Sequence, residues 1–563
     1  MKQTLTLTPN AKIVFQERYL KKNAKGKIIE TPLDLFHRVA KAIAKADQQY
    51  NSKANLKKIE HSFFNMMSQL EFLPNSPTLM NAGKPNGQLA ACFVLPIGDS
   101  ILSIFETLKL TAIIQKSGGG TGFNFSKLRP QGSRIHENLG ESSGPLSFME
   151  AFNAVTDAIK QGGARRGANM AILNIDHPDI LKFIHAKEKE HALTNFNISV
   201  AVTDKFMTAV QKNKSYELKH PKTQKSVQKL SARKIFNEIC KAAWTTGDPG
   251  LIFIDEINRY NPTPSLGPIE STNPCGEQPL LPFEACTLGS LNLNKFLTSH
   301  RKINWKKLEK TVRTAVHFLD NVVDANTYPF PAIQSITHGN RKIGLGVMGL
   351  ADILLKLNIP YASKKALAFS DQLMKFMDEK AHQASRDLAK TRGPFPNFKR
   401  SLYAKKKMPP LRNATVTTLA PTGTLSLLAG CSSGIEPVFS KSYVRHVLEG
   451  KSLAESYPNT VATAHEISYS WHIRMQSVFQ KYSDSAVSKT INLPNQATLE
   501  DIQQAYLLAY RLNCKGITVF RDGCKGAQVY EASSSENCPE CHHAFTHQEA
   551  CTFCQNCGYI QCA

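Results

Sequence analysis

The pentapeptide Asn273-Pro274-Cys275-Gly276-Glu277 sets a thiol between an amide and a carboxylate, in a turn bounded by proline and glycine. The amide can orient a hydroxyl, and a carboxylate within hydrogen-bond reach can take that hydroxyl's proton. A second thiol, Cys286, follows eleven residues on. A turn cysteine is more often inert packing than a nucleophile, and here the polar neighbours argue for chemistry. Six of the 13 cysteines, Cys538, Cys541, Cys551, Cys554, Cys557 and Cys562, crowd into the last 26 residues. Two Cys-x-x-Cys knuckles at this separation can converge on tetrahedral zinc. Cys538, Cys541, Cys554 and Cys557 form the more regular set, which leaves Cys551 and Cys562 as a spare dithiol. A rival set takes Cys551 with Cys554 and frees Cys557 and Cys562, and His542, His543 and His547 compete as ligands.

Three loops suit anions. Ala420-Pro421-Thr422-Gly423-Thr424-Leu425-Ser426 follows the strand-like Val416–Leu419 and offers hydroxyls at the start of an apolar helix, without the Gly-Lys-Ser/Thr of a Walker loop. Ser117–Gly122 is glycine-rich but lacks the spacing of a dinucleotide fold. Gln161–Gly167 carries the paired Arg165 and Arg166, suited to phosphate or base recognition. Taken singly, each loop reads equally well as a capped turn or a solvated surface segment.

The chain that must position these groups has 563 residues, with 69 Lys+Arg against 45 Asp+Glu, a net charge of +24. The basic residues are scattered rather than gathered in a run, so a nucleic-acid groove is not implied. No apolar run reaches the ~18 residues of a membrane span, and the N-terminus lacks a secretory pattern, so a cytoplasmic address is expected. In a reducing compartment clustered cysteines point to metal or redox chemistry rather than stapling. Residues 1–72 read as helical, with Pro32 in a first helical turn. Residues 73–530 alternate short β-branched runs with longer helical ones, which predicts an α/β fold with a buried sheet. Ala90–Pro96 and Ala414–Ala420 are expected strands, and Leu146–Gln161 and Lys365–Lys390 expected helices. Residues 531–537 form a small polar linker to the cysteine-rich tail, 538–563.

Taken together, PNSPTLMNAG (74–83), QLAACFVLP (88–96), SGGGTGFNFSKLRP (117–130), GGARRGANMAILN (162–174), NPCGE (273–277), ACTLGSLNL (285–293), APTGTLSLLAG (420–430), AVSKTINLPN (486–495) and GITVFRDG (516–523) resemble the class II, adenosylcobalamin-dependent ribonucleotide reductases. The resemblance implies an α/β barrel of two antiparallel half-sheets, each internally parallel, around a central finger loop, with a small zinc-ribbon-like tail. It implies that Cys275 carries a thiyl radical, that Glu277 accepts a proton, and that Asn273 bonds the ribose. Cys92 and Cys286 become the pair that supplies two electrons and closes to a disulfide. Ser76, Ala91, Cys92, Gly120, the 273–277 motif, and Pro421, Thr422, Gly423, Thr424 and Leu425 become substrate contacts. Gly162, Gly163, Ala164, Arg165, Arg166 and Gly167 become a loop linking an effector site to base choice.

By the same resemblance the substrates are ribonucleoside diphosphates, the effectors deoxyribonucleoside triphosphates, and the assembly a homodimer. Cys551 and Cys562 fit a shuttle from a thioredoxin- or glutaredoxin-like donor. Two departures stand out: the chain is short between Gly450 and His465, and no separate N-terminal activity-regulating domain is visible, so on/off control by ATP and dATP is not expected. Two alternatives stay open, a class I large subunit fed by a separate radical-generating protein and a basic zinc-ribbon nucleic-acid binder.

Overall fold

Short β-branched runs become strands here because both of their faces are covered, the interior by a loop and the exterior by helices. The computed structural model describes residues 5–135, 140–161, 165–189, 191–448, 451–525, 530–532, 546–548, 551–553 and 560–562. Its main sheet has ten strands: β1 (Phe72–Pro74), β2 (Cys92–Val94), β3 (Gly120–Asn124), β4 (Asn169–Asn174), β5 (Phe196–Val202), β6 (Gly250–Phe253), β7 (Glu284–Asn292), β8 (Ile343–Met348), β9 (Thr490–Leu493) and β10 (Gly516–Arg521).

Strands β2, β3, β4, β5 and β6 pair in parallel, in that order. Strands β7 and β8 are parallel, as are β9 and β10. The expected strand Ala414–Ala420 is the missing link, joined by single parallel bridges on either side, Leu345 to Thr417 and Leu419 to Val487. Two antiparallel seams, β2 with β7 and β6 with β10, join the halves and close the ring. The architecture is therefore an α/β barrel of two internally parallel half-sheets running in opposite directions. β1 adds to β7 as an antiparallel neighbour.

Side chains alternate across the wall as the two-residue strand period requires. Along β4, Met170 and Ile172 pack with Ile252 and Leu281 in a small inner cluster, while Ala171 and Leu173 join the large outer core. Helices Ile101–Lys116, Pro145–Ala158, Ala232–Thr246 and Leu499–Arg511 cover the first half, and Trp305–Ala325 and Lys364–Arg392 the second. The Pro145–Ala158 helix stops short of the expected Gln161, because Ile159 turns extended and Lys160–Gln161 pairs with Arg165–Arg166. No helix among the described residues is long and apolar enough to cross a membrane.

The N-terminal region adds helices Pro9–Val14, Pro32–Ala44 and Leu56–Ser68. Thr31 and Asp34 form a capping box at the second, with Pro32 in its first turn. A buried charge network ties this region to the barrel. Asp320 is held by Arg341 at 2.8 Å, Arg392 at 2.9 Å and Arg412 at 3.3 Å, and Arg392 reaches Asp47 of the N-terminal region at 2.5 Å.

Candidate active site

Residues 273–278 form a finger between the antiparallel pair Ser271–Thr272 and Pro279–Leu280. Two glycines of β3 make room for it. A Cβ on Gly122 would overlap the Thr272 carbonyl, and one on Gly120 would stand 2.9 Å from Pro274 Cγ. The finger is pinned at both ends. Asn273 Oδ1 accepts from Gln278 N at 2.9 Å, Asn197 Nδ2 donates to the Pro274 carbonyl at 2.8 Å, and Ala486 N and Thr418 Oγ1 donate to the Glu277 carbonyl at 2.9 and 2.8 Å. Gly276 turns the tip at φ +80°, where a side chain would be strained. Asn273 and Glu277 are consequently buried, and Cys275 is exposed at the tip.

Cys92 on β2 and Cys286 on β7 are direct register partners across one antiparallel seam, and both are buried. Facing residues of such a pair have Cβ atoms about 4.5–5.5 Å apart, a short approach from disulfide geometry. Asn273 Nδ2 donates to Cys92 Sγ at 3.2 Å, linking finger to seam. Burial, reinforced by the Glu277 carboxylate, pushes the Cys92 thiol well up, and burial does the same to Cys286 against the pull of Lys342. Both therefore stand as protonated thiols at neutral pH, able to release two protons and two electrons together on closing to a disulfide.

Cys275 lines two cavities. The smaller one gathers Ser76, Ala91, Cys92, Gly120, Asn273, Pro274, Glu277, Pro421, Thr422, Gly423, Thr424 and Leu425, while Gly276 faces the larger one. Thr422, at φ +54°, leads the short helix Gly423–Ala429 and is fixed by Gly434 N donating to its Oγ1 at 2.8 Å. Open space lies where a Cβ of Gly423 would be, so a ligand can approach the backbone there.

Gly162, Gly163 and Ala164 lie outside the described residues. Arg165 and Arg166 pair with Gln161 and Lys160. A Cβ on Gly167 would overlap the Thr156 side chain, and the next residue, Ala168, forms part of the smaller cavity's wall. In the tail, Cys551 and Cys562 are direct register partners of an antiparallel pair. Cys538, Cys541, Cys554 and Cys557 lie outside the described residues.

Sequence reasoning missed three groups. Asn75 is buried on the smaller cavity's wall: its Oδ1 caps Thr78 N at 2.9 Å, and its Nδ2 has no hydrogen-bond partner. The Asn-Ser-Pro string signals a helix start, which accounts for only half of that amide. On the larger cavity, Gln476 donates to the Gly516 carbonyl at 2.8 Å while its Oε1 lacks a partner. Lys515, also there, donates to the Asp484 and Ser485 carbonyls at 2.6 Å each, and burial pushes it down to about 7 against the pull of Asp484. Neither belongs to a local motif that could have singled it out.

Comparison with known proteins agrees with this geometry. The family model for the ribonucleotide reductase all-alpha domain matches residues 5–87, and that for the ribonucleotide reductase barrel domain matches 90–410, 407–462 and 452–520. The chain is 46% identical to a vitamin B12-dependent ribonucleoside-diphosphate reductase of Thermoplasma acidophilum, over 95% of this chain and 82% of the relative. It is 44% identical, with the same coverage, to a protein of that name from Mycobacterium tuberculosis, strain CDC 1551 / Oshkosh. A ribonucleoside-diphosphate reductase subunit alpha of Chlamydia pneumoniae is more distant, at 27% over 80% of this chain and 49% of the relative. A barrel closed by two antiparallel seams around a cysteine finger, matched along nearly its whole length, places this chain in the ribonucleotide reductase family.

Proposed function

We propose that the chain reduces ribonucleoside diphosphates to 2′-deoxyribonucleotides through a thiyl radical at Cys275, with a cobalamin cofactor. The position of Cys275 carries this reading: its thiol stands at the tip of a finger inside the barrel, on the walls of two cavities at once. One cavity holds the buried carboxylate and Cys92, and so takes the substrate. The other fits a large polar cofactor, because it is lined by Lys515 and by Gln476, whose Oε1 has no hydrogen-bond donor among the described residues. Adenosylcobalamin, when bound there, supplies the radical chemistry that removes the hydrogen atom from the Cys275 thiol.

The protein's own residues then do the rest. The Cys275 thiyl takes the hydrogen atom from C3′ of the ribose, and Glu277 accepts the proton of the 3′-hydroxyl. The 2′-hydroxyl leaves as water, taking its proton from the Cys92/Cys286 pair. The pair passes its second hydrogen to C2′, giving up two protons and two electrons in all as it closes to a disulfide, while Glu277 returns its proton to the 3′-oxygen and Cys275 returns its hydrogen atom to C3′. Ribonucleotide and two thiols thus become deoxyribonucleotide, water and one disulfide. Asn273 holds both the finger and Cys92, so the reducing pair and the radical thiol keep a fixed relation.

The remaining roles follow from the same reading. Cys551 and Cys562, opposite each other on paired strands, relay electrons from a thioredoxin- or glutaredoxin-like dithiol. Zinc bound by Cys538, Cys541, Cys554 and Cys557 anchors that tail. Residues 162–167 transmit deoxyribonucleoside triphosphate binding to the substrate base, supported by Ala168 on the cavity wall. A second copy covers Ile101, Leu102, Phe105 and Ile113, which are exposed along helix Ile101–Lys116.

The test is anaerobic conversion of ribonucleoside diphosphates by the purified chain with dithiothreitol, with and without adenosylcobalamin, beside Cys275→Ala. Turnover that needs the cobalamin and vanishes in the variant is expected. Activity restored only by a separate radical-generating subunit would refute the cofactor assignment.

A further inference from the structure

The wall of the smaller cavity bears the Glu277 carboxylate and, among the described residues, no lysine or arginine. A diphosphate would add negative charge to this partly buried space, where charges are poorly screened. A cation just behind the wall can supply a counter-charge. Among the described residues, two arginines touch the wall from outside. Arg445 Nη1 donates to the backbone carbonyl of Gly423 at 3.1 Å, and its side chain lines a neighbouring cavity. Arg18 Nη1 donates to the hydroxyl of Thr424 at 2.8 Å, and Thr424 is itself part of the wall.

The backbone around Arg18 is unusual. Phe15–Tyr19 forms a single π-type turn after the helix Pro9–Val14, closed by Leu20 N donating to the Phe15 carbonyl at 3.0 Å. Such turns are rare and recur at functional sites. This one aims two consecutive side chains at the same cavity, since the Tyr19 hydroxyl lies 2.6 Å from Ser76 Oγ, also on the wall. The N-terminal helical region thus reaches two of the cavity's hydroxyls, one of them with a fixed positive charge.

We propose that Arg18 is a substrate-specificity residue, whose guanidinium takes the terminal phosphate of a ribonucleoside diphosphate seated against Thr424. Tyr19 is its positioning partner, holding Ser76 in place. The inference rests on the reading of the smaller cavity as the ribonucleotide site. A planar guanidinium can bind two phosphate oxygens at once, which a lysine cannot reproduce.

Equilibrium dialysis of the full chain with labelled CDP, CMP and cytidine tests this without any turnover. Arg18→Gln is expected to weaken CDP binding by about tenfold to a hundredfold, the effect of losing a charge-assisted hydrogen bond. Cytidine and CMP binding should hardly change, and Arg18→Lys should fall between. Equal CDP affinity in wild type and Arg18→Gln overturns the role of Arg18 while leaving the ribonucleotide site standing. A wild-type chain that does not bind CDP overturns the site itself. A second measurement needs no variant: phenylglyoxal labelling of Arg18 in the wild-type chain, read by peptide mass, should be slowed by CDP and not by cytidine. Equal labelling under both would also overturn the proposal.

Discussion

On the proposed mechanism Cys92 and Cys286 share one task, and burial holds both thiols protonated for it. Cys286→Ser should retain CDP binding, because Cys286 is not on the cavity wall, and lose sustained deoxyribonucleotide formation with any dithiol donor. Undiminished multiple turnover would remove the pair from the mechanism. Asn75→Asp keeps the oxygen that caps Thr78 N and deletes the N–H donors of a residue that lines the cavity. A roughly tenfold rise in KM for the ribonucleotide is expected, the worth of one hydrogen bond to a charged or strongly polar oxygen. An unchanged KM would show that this amide never meets the substrate. These two residues also mark the reach of sequence reading. Cys275 and Glu277 could be found because amide, thiol and carboxylate sit within five residues. Asn75, Gln476 and Lys515 matter through an orphaned atom or a burial that only the folded chain displays.

At the scale of elements, the finger depends on a gap in the barrel wall. Gly122→Ala would drive a methyl group into the Thr272 carbonyl, and overpacking of this kind destabilises by about 1–3 kcal/mol. Turnover should fall further than stability, because the displaced finger carries the thiol proposed to bear the radical. Comparing denaturant midpoints with rates separates the two effects. Lys515 stands beside β10 and clamps the 484–485 turn, whose neighbour Ala486 holds the Glu277 carbonyl. Its folded pKa of about 7 lies below the ordinary 10.5, so the unfolded chain binds more protons between those values. Its contribution to stability therefore grows as pH rises from about 7 towards 10.5 and is lost as pH falls through 7. Unfolding midpoints measured across that window should show the slope in wild type and a flatter profile in Lys515→Met. The α/β fold with its buried sheet was legible as alternating apolar runs and helices, whereas its two parallel halves were expected only from the family resemblance. The strand expected at 414–420 holds its place with single bridges on each side, a weakness that its apolar run does not reveal.

At the scale of the whole molecule, a buried ion network joins the N-terminal helices to the barrel. Burial opposes ionisation of Asp320, yet Arg341, Arg412 and Arg392 together hold its carboxyl down to about 2. The stabilisation is complete above the ordinary carboxylate range near 3.8 and is lost as pH falls towards 2. Asp320→Asn leaves three guanidinium groups without their shared carboxylate, and breaking buried pairs in this way costs about 3–5 kcal/mol. Calorimetry should show a lower melting temperature, and an unchanged one would mean that the network is dispensable. None of this was legible beforehand, since Asp47, Asp320, Arg341, Arg392 and Arg412 are far apart in the chain and meet only when the domains pack.

Cys92 and Cys286 face each other across a seam between the half-sheets, and on the proposed mechanism this makes the chemistry of each cycle a mechanical event as well. When the pair oxidises, a covalent staple sews one half of the barrel to the other, and the incoming dithiol must unpick it. On that mechanism the ring alternates between an edge held by hydrogen bonds alone and an edge that is riveted. Amide exchange along β2 and β7 should slow on oxidation and quicken on reduction, so the barrel would breathe in step with its own turnover.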